Sequence, residues 1–256
     1  MKLITIPKGE DFKKDLVLRF GQGEKATVIE YLDQKSSAPL SYSRKIEAAA
    51  DSEIRFITIQ SLPETVELKE SLESVAGENA HVHFFTFHLG AKKIESAIFQ
   101  TGEGRLSRCD TDLVTRTKNS QSFQFQIKNT HSAPCGKGVI TAKGVARDES
   151  VLGIRGIIKI EQKAGGTDSQ LNQAVLNLSP RAKVKATPAL EIDTNDVKAA
   201  HSASITNLNP EILFYLESRG LAPEFAKKLL MEGFLKESID KLSDLPEVQK
   251  KIYTLL

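Results

Sequence analysis

The chain has 256 residues, 40% of them hydrophobic and 27% charged, a composition ordinary for a soluble globular protein and a length that suits one large domain or two small ones. Thirty-five basic residues nearly balance 33 acidic ones, for a net charge of +2, and no arginine stripe interleaves with aromatics, so no nucleic acid is expected as a partner. No apolar run approaches the roughly 18 residues of a membrane span, MKLITIPKGE has too short an apolar core for a signal peptide, and two cysteines without a CxxC fit a reducing cytoplasm better than a disulfide framework.

Residues 1–35 read as a lead-in segment in which Leu16, Leu18 and Phe20 alternate before Gly21-Gln22-Gly23. Residues 26–32 make a strand, and residues 34–42 a Ser/Pro loop. Short β-rich runs then recur at 53–59, 66–68, 81–89, 97–100, 113–117, 122–128, 138–145, 152–160 and 175–178, each bounded by turn residues. Residues 167–172 (TDSQLN) read as one helical turn inside this region. No amphipathic helix is visible before Asn209, so the pattern indicates an all-β sandwich, barrel or solenoid, and periodicity alone does not choose among them. No repeat motif is evident.

Past residue 182 the pattern changes twice. Val184, Ala186, Leu190 and Ile192 keep the period of two, Asp193-Thr194-Asn195-Asp196 forms a polar turn, and residues 197–205 make a second strand with His201 in its middle. Asn209 then suits a helix cap and Pro210 its first position, with Ile212, Leu213 and Leu216 as an apolar stripe. Gly220 stops that helix. Further helices are expected at 223–236 and about 246–253. The division is therefore a β core at 1–208 and a C-terminal helical element at 209–256.

Four sets of residues carry potential chemistry. His81 and His83 share one face of a strand, and an H-x-H pair joined by a carboxylate is a workable metal site. Such a site would make the chain a metal-dependent β-fold enzyme, and stacked polar residues on a solenoid face are the plain alternative. His88 has the opposite parity, and a carboxylate partner, Glu95 or Glu103, is not placed by sequence. Cys135 lies in the turn APCGKG with Lys137 close enough to activate it, or is simply a turn cysteine, and Cys109 reads as structural. Glu211, Glu217, Glu224 and Glu232 read as solvated helix faces. Phe214, Tyr215, Leu216, Phe225, Leu229, Leu230 and Phe234 are more apolar side chains than two short helices need for one core face. Part of the set should pack on the β core and part should be left for a partner.

The segments ATPALEI (186–192), DVKxxH (196–201), LFYLESRG (213–220) and AxxLLxxGF (226–234) resemble the SufB/SufD family, the scaffold subunits of SUF iron–sulfur cluster assembly. The likeness continues more weakly through HVHFFTFHLGA (81–91) and residues 153–170, and the helical part is closer to SufD than to SufB. The resemblance implies an all-β right-handed parallel β-helix, a solenoid whose open ends need covering, with the C-terminal helices as the cover of one end. It implies pairing with a SufB-like subunit or with a second copy along the strand edge that holds His201, which matches the family's interface histidine. It implies docking of a SufC-like ABC-type ATPase on the C-terminal helices, for which Phe214, Tyr215, Arg219, Phe225, Leu229 and Phe234 are the candidates. Members of the family carry a further N-terminal helical region, so this chain reads as a minimal core. Three positions depart from the family pattern. Ala199 stands where many SufD members have cysteine, and Ser202 where SufB members have glutamate. A SufB cysteine would fall near Gln173. Clusters are held mainly by thiolates, so a non-enzymatic, cytoplasmic structural subunit is expected. It would have no cofactor in the isolated chain and would meet an iron–sulfur cluster only transiently within a complex. No flavin motif is visible, and there is no phosphate loop for ATP.

Overall fold

The computed structural model describes residues 2–5, 14–33 and 38–256. Residue 1 and residues 6–13 of the lead-in segment, and residues 34–37 where it meets the Ser/Pro loop, lie outside these. Among the described residues, fifteen strands, numbered in chain order, alternate between two parallel sheets. The odd sheet runs β1 (Lys2–Thr5), β3 (Lys25–Leu32), β5 (Glu53–Gln60), β7 (His81–His88), β9 (Arg108–Thr117), β11 (Lys137–Ala146), β13 (Thr167–Asn177), β15 (Val197–Asn207). The even sheet runs β2 (Asp15–Phe20), β4 (Leu40–Ala48), β6 (Glu67–Ala76), β8 (Lys93–Gly102), β10 (Ser122–His131), β12 (Val151–Ile160), β14 (Lys183–Ile192). Each strand pairs with the strand two further along the chain, so the chain winds as a β-solenoid of about seven turns. This is the solenoid that the resemblance implied.

The alternation in sequence decides what fills it. In β10 (SFQFQIKNTH), Phe123, Phe125, Ile127, Asn129 and His131 are buried, while Gln124 and Gln126 face solvent. Every coil contributes such a row to the space between the sheets, forming one core from Phe20 to Val175. The lumen is not wholly apolar. Arg44 donates from Nη2 to Glu30 Oε1 at 2.5 Å with both side chains 1% exposed. His88 Nε2 lies 2.6 Å from Glu70 Oε1, which also accepts from Ser96, while the Tyr42 hydroxyl donates to Glu70 Oε2. Burial pushes the Glu70 carboxyl up, but His88, Ser96 and Tyr42 outweigh it and hold the group below its usual range. A buried carboxylate without such partners would be strongly destabilising.

The coils are joined through a repeated corner. Gly23, Asp51, Asn79, Leu106, Cys135 and Gly166 all take the left-handed backbone conformation, one per coil. The amide of each of the first five donates to the carbonyl one residue before the next corner: Gly23 to Ala50, Asp51 to Glu78, Asn79 to Arg105, Leu106 to Pro134, Cys135 to Gly165. This is a periodic element, although its occupants differ in type.

Three helices end the chain: α1 (Pro210–Ser218), α2 (Pro223–Asp240) and α3 (Pro246–Leu255). Asn209 caps α1, its side chain accepting from the Glu211 amide at 2.8 Å, and Pro210 occupies the first turn. The helices do not cover an open end of the solenoid, as expected above. Instead α2 and α3 fold back along the outer face of the odd sheet. Met231, Leu235, Ile239, Val248 and Ile252 pack there against Ile57, Ile59, Phe85, Phe87, Val114 and Val145. The reason lies in the strands. β5 and β7 carry apolar residues on both faces (FITI, FFTF), so their outer row also demands burial. Ionic contacts pin the helices in place: Arg55 grips Asp244 with both terminal nitrogens at 3.0 and 2.7 Å, Lys143 reaches Glu237 at 2.7 Å, and Arg147 pairs with Glu224. Glu224 is thus tied to the sheet rather than simply solvated. Residues 167–172 are strand, not a helical turn. Ser169 and Leu171 alternate into the lumen, and β13 is paired on both sides, which overrides the local turn preference of Asp and Ser.

Candidate functional site

The last coil is left open on its outer side. β14 and β15 each have a single strand neighbour among the described residues, so each presents a free edge. By register, Val197, Ala199, His201, Ala203 and Ile205 continue the inward-facing row of β13, with His201 opposite Leu171. Val184, Ala186, Pro188, Leu190 and Ile192 continue that of β12. These are core positions, yet no further coil stacks on them. Ile192 is 40% exposed, Ile205 is 45% exposed, and His201 is exposed.

The second feature adjoins it. α1 buries none of its residues. Phe214 is 72% exposed, and Tyr215, Phe225, Leu229 and Ile212 are also exposed, forming an apolar surface over α1 and the first half of α2. Arg219 lies over the Tyr215 ring, 5.2 Å from its centroid. Of the six sequence candidates on these helices, Phe234 differs: it packs against the outer face of the odd sheet, under Lys143. A groove lined by Leu178, Pro180, Leu208 and Leu213 separates this surface from the end of the solenoid.

His81 and His83 do share the outer face of β7, and His88 faces the lumen on the other side. Their carboxylate partners are neither Glu95 nor Glu103. Glu95 sits on the even sheet and pairs with Lys93 at 2.6 Å. The partners are Asp110 and Asp112, on the neighbouring strand β9: His81 Nε2 lies 2.9 Å from Asp110 Oδ2, and His83 Nε2 2.8 Å from Asp112 Oδ2. Burial pushes the Asp110 carboxyl up, but His81, His83 and Arg108 together hold it below its usual range. Cys109, beside it in sequence, points into the lumen, where burial and the Asp110 charge push its thiol up to about 12, as befits a structural residue. Cys135 is half-buried at its corner, next to Gly166 of the following coil.

A family model described as "SUF system FeS cluster assembly, SufBD core domain" matches residues 6–234. The chain belongs to that family. It is 34% identical over 155 residues to the iron-sulfur cluster assembly protein SufD of Bacillus subtilis, covering 60% of this chain and 35% of the relative. It is 26% identical over 258 aligned positions to the iron-sulfur cluster assembly protein SufB of the same organism, covering 91% of this chain and 54% of the relative. A SufBD family protein of Pyrococcus horikoshii is 28% identical over 196 residues, 77% of this chain and 43% of that protein. The chain thus spans about a third to a half of the length of the relatives it matches.

Within the SufBD core, the three departures noted in the sequence are structurally ordinary. Gln173 is buried in the lumen, Ala199 packs partly against the core, and Ser202 donates to Asn172 Oδ1 at 2.9 Å on the outer face. None of the three offers a thiolate. What sequence reasoning missed is the pair Asp110 and Asp112. A D-x-D following H-x-H by 29 residues is the available signal, but it has meaning only once the coil length is known.

Proposed function

We propose that this SufBD core protein is a SufD-like structural subunit of an iron–sulfur cluster assembly complex. Its free β14–β15 edge pairs with a SufB-like subunit or a second copy of itself. The exposed surface of α1 and α2 receives a SufC-like ATPase. The observation that carries this reading is the open last coil. A row of core-type residues, with two long parallel strand edges, ends in solvent. Exposed edges of this length are a liability that pairing removes. His201 sits in that row, so a partner stacked on the edge would bury it at the junction.

The subunit itself performs no catalysis in this reading. It works in the cytoplasm, holds no iron–sulfur cluster alone, and meets one only transiently inside the complex. Its lack of thiolates at positions 173, 199 and 202 supports a structural part rather than a cluster-holding one.

Two single substitutions separate the two surfaces. The full chain is co-expressed with a SufB-like and a SufC-like subunit, and the complexes are sized by light scattering. Ile205→Asp places a charge in the open row and should weaken scaffold pairing at least tenfold while leaving ATPase capture intact. Phe225→Asp should do the reverse. If Ile205→Asp pairs normally, the edge is not the interface. If Phe225→Asp still captures the ATPase, docking lies elsewhere.

A further inference from the structure

We infer that His81, His83 and Asp110 form a binding site for one first-row divalent metal ion of the iron(II) or zinc(II) kind, on the outer face of the odd sheet. This goes beyond the scaffold reading and does not depend on it. His81, His83 and Asp110 each offer a ligand atom, and the three atoms lie within 4.8 Å of one another. A bound ion with metal–ligand distances near 2.1 Å would need separations of about 3.4 Å, a side-chain adjustment of about an ångström.

The backbone makes that adjustment small and the site well defined. β7 and β9 are paired on both sides in the middle of an eight-stranded sheet, so their Cα positions are fixed. His81 and His83 stand two residues apart, rings 5.8 Å between centroids, and the His83 ring stacks on Phe85 at 3.8 Å. Asp110 is held from below by the Val139 amide, which donates to Oδ1 at 2.9 Å and leaves Oδ2 directed at the imidazoles. Asp112 accepts from Lys241 at 2.7 Å on one oxygen and faces His83 with the other, the arrangement by which a carboxylate orients a metal-bound imidazole.

The donor set decides the class of ion. Two imidazole nitrogens with one carboxylate suit borderline divalent ions such as iron(II) and zinc(II), whereas calcium and magnesium require oxygen donors throughout. Three protein ligands leave positions for water or for a donor from another molecule. His81 is partly exposed, which provides access. The competing group is Arg108, whose Nε donates to Asp110 Oδ2 at 2.6 Å. Its side chain is 49% exposed and free to swing into solvent when an ion takes that oxygen.

The test is titration of the full chain with zinc(II), and anaerobically with iron(II), against a chromogenic chelator, with cobalt(II) absorption as a report on ligand geometry. One ion per chain should bind. His81→Ala and His83→Ala should each weaken binding at least tenfold, with circular dichroism unchanged, while His201→Ala and Cys135→Ser leave it as it was. Arg108→Gln, which removes the competing cation, should tighten it. Equal affinity in the wild type and both histidine variants, or no ion retained in competition with the chelator, would overturn the site.

Discussion

His131, on β10 of the even sheet, reaches across the lumen to Ser169 on β13 of the odd sheet, Nε2 to Oγ 3.1 Å. The imidazole is 1% exposed, and a side-chain carbon at Gly136 would stand 2.7 Å from its Nδ1, so the ring packs closely against the glycine backbone there. Burial lowers its pKa from 6.5 to about 4, against the pull of the Asp110 carboxylate. The unfolded chain therefore takes up this proton near pH 6.5 and the folded chain only near pH 4. Between those values the unfolded state holds more protons, so stability falls as pH drops through that window and is highest above it. The contribution is about 3 kcal/mol when complete. His131→Gln should flatten the dependence of unfolding free energy on pH between 6.5 and 4, measured by urea titration. An unchanged slope would mean that the imidazole takes up its proton at the same pH in the folded and unfolded chain.

The corner ladder makes a second prediction. Leu106 holds the left-handed conformation at φ 61 with its side chain 42% exposed. The equivalent corners one and two coils earlier hold Asn79 and Asp51, residue types that tolerate this conformation through local hydrogen bonding. Leucine there carries a backbone cost of roughly 1–2 kcal/mol with little burial to offset it. Leu106→Asn should raise stability by about 1 kcal/mol, read as a higher denaturant midpoint without a change in slope. A lower midpoint would show that the leucine contributes packing beyond its half-exposed area.

The third prediction concerns the helical cover. Leu235 is fully buried between α2 and the odd sheet. Leu235→Ala should cost about 2–5 kcal/mol of local stability. In a solenoid each coil is supported mainly by its neighbours, so the loss should stay local. Hydrogen exchange should quicken in α2 and α3 while the amides of β9 and β11 keep their protection. Equal acceleration in the strands would mean that the cover and the coils unfold as one unit.

Much of the architecture was legible. The switch from a period of two to helical spacing at Asn209 placed the β-to-α boundary, because a capping side chain followed by proline is a local, backbone-level signal. The alternation in runs such as 122–128 identified strands and their buried rows. The repeat itself was hidden. Its most regular position is a conformation rather than a residue type, and glycine, aspartate, asparagine, leucine and cysteine all occupy it. Without the coil length, Asp110 and Asp112 could not be set beside His81 and His83, and sequence proximity pointed to Glu95 and Glu103 instead. The destination of the helices was illegible for a related reason: apolar residues on both faces of β5 and β7 show that an outer cover exists, but not which segment supplies it.

The strict odd-sheet order gives the molecule a built-in ruler. β7 and β15 are four strands apart in one sheet, and neighbouring strands are spaced by about 4.8 Å, so their separation is about 19 Å. Gaining or losing a whole coil would shift that distance by one such step while leaving every side chain on its original face. Gaining or losing a single residue within a strand would turn one face inside out. Reach along this axis can therefore change only in whole increments, whereas length in the corners can drift freely, as the spacings of 24 to 32 residues between stacked positions (Lys2 to Ala26, Val151 to Lys183) already record.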